Sequence, residues 1–303
     1  MIKSKRIVAG FLILLAGILW GCMGLFVRPL SEKGLTSWDI VFIRASLTTI
    51  FMAILLLVRD RKLFKIKLQD LWCFLGTGLL SIVFFNMCYF KEITIAPLSI
   101  AAILLYTAPA FVMILSAFLF KENLTKVKLL ALVLLFVGLM FVTGVFNSSE
   151  RMTLRIFFIG LGAGLGYALY SIFGRYALER GYESYTISFY TFLFATVATC
   201  FMARPVEIVT VVSDSWKSVV LVLVFALVST IIPYLTYTIG LKSVENGQAS
   251  IIASIEPVMA SLIGIVWFQE KMTVSVLIGI ILVLSGIAVS NLSSSGKDKC
   301  LGG

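Results

Sequence analysis

Long apolar runs, separated by short clumps of charge, govern what this chain can fold into. A run of 18 or more apolar residues reads as a membrane-spanning helix. Only 13% of the 303 residues are charged, against 60% hydrophobic, where a soluble domain carries about 25% charged residues. Lipid is therefore the solvent for most of the chain. No backbone N–H or C=O can go unpaired there, which leaves helices or a closed barrel. The runs are far longer than the roughly 10-residue alternating segments of a barrel strand, so the expectation is an all-α membrane protein. Ten transmembrane spans are predicted at about 7–29, 38–58, 70–91, 97–120, 126–146, 154–177, 184–204, 216–241, 246–268 and 273–292. Residues 293–303 form a tail.

The net charge of +10 does not call for nucleic acid, because the basic residues fall between apolar runs, where membrane orientation accounts for them. The absence of histidine, and the lack of CxxC spacing among Cys22, Cys73, Cys88, Cys200 and Cys300, argue against a zinc or haem site. No cofactor is expected. No GxxxxGK[ST] loop appears, so the chain does not hydrolyse ATP itself. Lys3, Lys5 and Arg6 before an apolar run ending at Trp20-Gly21-Cys22 resemble a cleavable leader. Trp20 is a poor fit to the small residue such a site needs, and the run is read as an uncleaved first helix.

With the N-terminus in the cytoplasm, 16 Lys and Arg fall on the inner side and eight on the outer, leaving Arg44 within a span. The bias is carried mainly by Arg59, Arg61, Lys62, Lys65 and Lys67, and it favours both termini inside a cytoplasmic (inner) membrane.

The chain also repeats itself. Tyr89, Ala101, Ile103, Pro109, Phe120, Glu122, Thr125, Leu129, Leu134 and Gly138 reappear 148 residues later as Tyr237, Ala249, Ile251, Pro257, Phe268, Glu270, Thr273, Leu277, Leu282 and Gly286. Gly17, Trp20, Arg28, Glu32, Lys33 and Gly34 face Gly164, Tyr167, Arg175, Glu179, Arg180 and Gly181 at an offset of 147. Residues 1–148 and 149–292 are thus two five-helix units. An odd number of helices makes the second unit enter from the opposite side, so the repeats are inverted.

This organisation resembles the ten-helix EamA-type members of the drug/metabolite transporter superfamily over about residues 7–292. The resemblance is carried by Gly17-Ile-Leu-Trp-Gly21, by Phe42-Ile-Arg44 and by two signatures in register. These run from Tyr106-Thr-Ala-Pro109 to Phe120-Lys-Glu122-Asn-Leu-Thr125, and from Ile255-Glu256-Pro257 to Phe268-Gln-Glu270-Lys-Met-Thr273. It implies a basket of helices 1–4 and 6–9 around a central cavity, with helices 5 and 10 behind it. It also implies movement of small solutes, often amino acids and related metabolites and frequently outward.

Two charges stand within spans. Arg44 is expensive in lipid; it either clamps a solute carboxylate or phosphate or bonds helix-end carbonyls. Glu256, beside Pro257, is where a carrier would keep a proton-coupling site, or else it ties down carbonyls freed by the proline. Their repeat counterparts are Thr191 and Ala108, so the fold does not demand either charge twice. Trp20, Asn86, Tyr89, Tyr106, Tyr167 and Tyr237 are the further candidates for the cavity wall, with Tyr170 and Tyr234 also within spans. Glu122, Glu270, Thr125 and Thr273 read as structural residues at helix ends, and the glycines as packing residues.

The expected function is secondary transport of a small metabolite by alternating access, as proton-coupled export. Uptake, facilitated exchange and non-transporting ligand binding are the alternatives. An intramembrane enzyme finds no paired carboxylates or histidine cluster. The partners expected are a small-molecule solute and the bilayer; the sequence leaves the oligomeric state open.

Overall fold

The computed structural model describes residues 2–145 and 153–297. Arg151, Lys299, Cys300 and the junction between the units lie outside the described residues. The helices, in chain order, are α1 Lys5–Glu32, α2 Ser37–Arg59, α3 Leu68–Ile93, α4 Leu98–Leu119, α5 Lys126–Thr143, α6 Leu154–Glu179, α7 Ser184–Cys200, α8 Trp216–Leu241, α9 Asn246–Trp267 and α10 Val274–Asn291. Among the described residues, nine are long and apolar enough to cross a membrane unaided. The tenth, α7, qualifies only with a short helix, Pro205–Ser213, that follows at a 110° bend. That short helix stands where a loop was expected. Pro205 opens it at its first turn, where a missing N–H costs nothing. It packs Ile208, Val211 and Val212 against Leu30 and Phe225 and leaves Val206 and Val209 exposed.

Polar side chains fix the helix starts. Thr36 and Asp39 form a reciprocal capping box on α2, and Thr125, Thr153, Ser215 and Thr273 cap α5, α6, α8 and α10, supplying acceptors for otherwise orphan N–H groups. Asp39, fully buried, also accepts from the backbone and guanidinium of Arg204, and that side-chain hydrogen bonding raises the Arg204 guanidinium above its ordinary value. Gly34 and Gly181, with φ of 90° and 85°, end α1 and α6 in the left-handed conformation that glycine adopts without steric cost.

The repeat holds at the level of single bonds. Lys121 and Gln269, 148 residues apart, are the non-glycine residues with positive φ among the described residues, at 55° and 57°. Each turns the chain so that the next N–H, of Glu122 or Glu270, reaches back to Ser116 or Gly264, again 148 apart. Helices α4 and α9 both break. The first halts after Leu105 and resumes at Ala108; the second halts after Ala253 and resumes at Glu256. Pro109 and Pro257 therefore stand in the first turn of a new half-helix rather than inside a continuous one. Within α3 and α8 the ladder widens to π-helix at Gly76–Val83 and Leu227–Ile231, a local irregularity common near functional sites.

Glycines bring the helices together. A Cβ on Gly17 would stand 2.5 Å from the carbonyl oxygen of Ala253, and one on Gly164 2.8 Å from that of Leu104. Helices α5 and α10 pack antiparallel, with Gly138 against Gly279 and Val283, and Gly286 against Ala131 and Leu135. Side chains such as Phe118, Leu154, Val266 and Trp267 are left uncovered by protein and face the lipid.

Candidate functional site

The broken centres of α4 and α9 meet the middles of α1, α2, α3, α6 and α8 at a cavity of about 390 Å3. Trp20, Arg44, Asn86, Tyr89, Tyr106, Tyr167 and Glu256 all line it. Tyr237 does not; it lines a smaller adjoining chamber whose wall includes Trp20, Phe85, Tyr106, Tyr167 and Glu256. Irregular backbone at membrane depth is tolerated where it borders such a cavity.

Glu256 is the first residue of its half-helix, where the helix dipole favours an anion. It accepts a hydrogen bond from the Tyr167 hydroxyl at 2.8 Å, so its partner is a phenol and not a carbonyl freed by Pro257. Arg44 is 5% exposed. It donates to the Met23 sulfur at 3.5 Å and the Tyr234 hydroxyl at 3.4 Å, and its Nε has no partner among the described residues. No carboxylate forms an ion pair with it among those residues, and its contacts are not helix-end carbonyls. An underused guanidinium on α2 and a carboxyl group on α9 thus share one cavity. Their repeat counterparts carry neither charge: Thr191 is buried against the Thr77 hydroxyl at 2.6 Å, and Ala108 is buried in an apolar cluster.

Between the two charges stands an aromatic box. Trp20 lies 5.2 Å from Tyr234, 5.4 Å from Tyr237 and 6.3 Å from Tyr167, centroid to centroid. Tyr170 and Tyr234 meet edge to face at 4.9 Å. Phe85 contacts both Tyr89 and Tyr167 at 5.7 Å. Asn86 donates to the Ile82 carbonyl at 2.7 Å, within the π-helical stretch of α3. Phe85 was not singled out by the sequence: one of 24 phenylalanines carries no mark of its own.

The cavity lies towards the far face, the side opposite the start of α1; Met23, Ser37, Tyr89, Ile93 and Ala102 form its outer wall. On the near face the helix ends are tied together. Glu122 accepts from the backbone N–H groups of Asn246 and Gly247 at 2.7 and 3.1 Å, capping the start of α9. Arg175 donates to Asn246 Oδ1 at 2.9 Å and to the Val244 carbonyl. Lys128, nearly buried, bonds Glu245 at 2.6 Å and stands 3.9 Å from Glu122. Deeper, Ser171 meets the Tyr237 hydroxyl at 2.6 Å. On the far face the repeat-related Arg28 and Glu270 form a half-exposed ion pair at 2.8 Å, with the guanidinium over the Phe268 ring. Among the described residues, no group of three Cys, Asp or Glu could hold a metal ion.

A helical basket built twice over, with opposite charges facing a central cavity, is the architecture of a multi-pass membrane transporter. The chain belongs to the EamA-like transporter family, whose model matches residues 8–144 and again 154–292. An uncharacterized transporter of Archaeoglobus fulgidus is 30% identical over 216 residues, 70% of this chain and 75% of its own length. The uncharacterized transporter YxxF of Bacillus subtilis is 23% identical over 92% of this chain and 88% of its own. A protein of known crystal structure shares the fold, with a TM-score of 0.75 at 18% identity over 96% of this chain and 97% of that one.

Proposed function

We propose that this transporter is a secondary carrier that exports a small metabolite, an amino acid or related compound, by alternating access in exchange for protons bound at Glu256. The observation that carries the reading is the pairing of Arg44 and Glu256 across one aromatic-lined cavity. Arg44 suits a solute carboxylate, since a guanidinium gives charge-assisted, directional bonds. The Trp20, Tyr234 and Phe85 rings supply apolar surface. Glu256 accepts either a proton or a solute ammonium group, and competition between the two couples their movement.

The difference between the faces supports alternation. A near face whose helix ends are tied together and a cavity towards the far face make one of two states, and the inverted repeat specifies the other. In that state Glu270 caps the N–H groups of Leu98 and Ser99, 148 residues before Glu122's present partners, and Arg28 takes the Ala96 carbonyl. Glu122 and Arg175 are released to pair with each other, as Arg28 and Glu270 do now.

The test is counterflow of a panel of labelled amino acids in liposomes containing the purified protein. An ionophore that collapses the proton gradient should abolish concentrative flux. Glu256→Gln should retain exchange and lose gradient-driven accumulation. Gradient-driven flux unchanged in Glu256→Gln would remove Glu256 as the coupling group, and flux insensitive to the ionophore would make the protein a facilitated exchanger.

A further inference from the structure

We propose that Glu92 is a second proton-binding site, set beside the solute cavity where α3 meets α4 and α6; it deepens the transport reading and rests on it for its role. Glu92 is 0% exposed, and neither carboxyl oxygen has a hydrogen-bond partner among the described residues. Its Oε1 fills the space that a Cβ on Gly160 would need, with Leu104 beside it. Ile100, Leu104 and Ile156 form the apolar cluster at this end of the bundle. An ionised carboxylate without a partner does not persist in such surroundings; it takes a proton.

The repeat shows that packing does not require the acid. The counterpart of Glu92 is Gly240, and that of Gly160 is Ile13. In the other half of the molecule Ile13 fills the space over Gly240. Both crossings therefore join one large and one missing side chain, and at the α1–α8 crossing hydrocarbon is sufficient. A carboxyl group in the same role at the α3–α6 crossing adds only its proton chemistry.

The charged and titratable groups around it are few. On α3 they are Cys88, Tyr89 and the exposed Lys91; α4 offers none between Leu98 and Leu105; α6 brings the exposed Arg155. Tyr89 lines the cavity and lies within electrostatic reach of both Glu92 and Glu256. It is thus a side chain that both borders the cavity and senses the buried acid.

The test uses the full-length protein purified in detergent. Infrared spectra across a pH titration should contain a protonated-carboxyl band that persists at near-neutral pH, disappears in Glu92→Gln and survives in Glu256→Gln. Mass spectrometry after treatment with an apolar carbodiimide, which attacks protonated buried carboxyls, needs no variant and should find Glu92 modified in the native chain. The same band in native protein and a folded Glu92→Gln, or a Glu92 left unmodified, overturns the proposal. Loss of coupled flux in Glu256→Gln with the Glu92 band intact bears on the transport reading alone.

Discussion

At the scale of single residues, a charge at membrane depth needs a cavity or a partner. Arg44 and Glu256 stood out in sequence because charge at membrane depth is costly, and both face the cavity. An apolar run read to residue 91 places Glu92 in a loop beside Lys91, whereas α3 runs to Ile93 and carries the acid inside. Phe85 is hidden for another reason, and Tyr234, though noted within a span, carries no mark that sets it on the cavity wall. Where both faces of a helix are apolar, one facing lipid and the other protein, no periodicity marks the side that lines a cavity. Two predictions belong here. Replacing Arg44 with Ala should weaken binding of a carboxylate solute about 10- to 100-fold, the worth of one charge-assisted bond, read as loss of ligand-induced thermal stabilisation in a folded variant. Gly17→Ala must displace the Ala253 backbone; overpacking of that kind costs about 1–3 kcal/mol, visible as a lower melting temperature in detergent.

At the scale of elements, nine of the ten expected spans stand among the described residues as single apolar helices with ends within a few residues of the expected ones, while α7 reaches that standard only with the bent Pro205–Ser213 helix. The π-helical stretches in α3 and α8 left no trace in composition. The short helix Pro205–Ser213 was missed because nine residues are too few to register as a span. The contacts of Arg175 and Lys128 on the near face join residues about 70 or more positions apart, which no local pattern marks. The carboxylate of Glu122 caps two backbone N–H groups of α9. Glu122→Gln should weaken that cap and shift the population towards the state open on the near face. In a cysteine-free background, a cysteine at Ser250, which lines the inner chamber, should then react faster with an impermeant thiol reagent. Glu270→Gln should slow the same labelling, because the exchanged state loses its own cap. Equal rates in all three proteins would dissociate Glu122 from the near-face ties.

At the scale of the whole molecule, the duplication in sequence became a duplication of turns, breaks and hydrogen bonds. Its orientation in the membrane rests on Lys and Arg counts alone. A fluorescent protein that folds only in the cytoplasm, fused at the C-terminus, should fluoresce, and a phosphatase active only outside should be silent at the same position.

Helices α5 and α10 have a consequence of their own. Their backbones approach so closely at Gly138, Gly279 and Gly286 that a Cβ on any of the three would press against the other helix. If the two repeats alternate as proposed, this pair is the fulcrum of a balance whose arms are near copies, and adding a methyl group at any of the three glycines is expected to slow movement in both directions together.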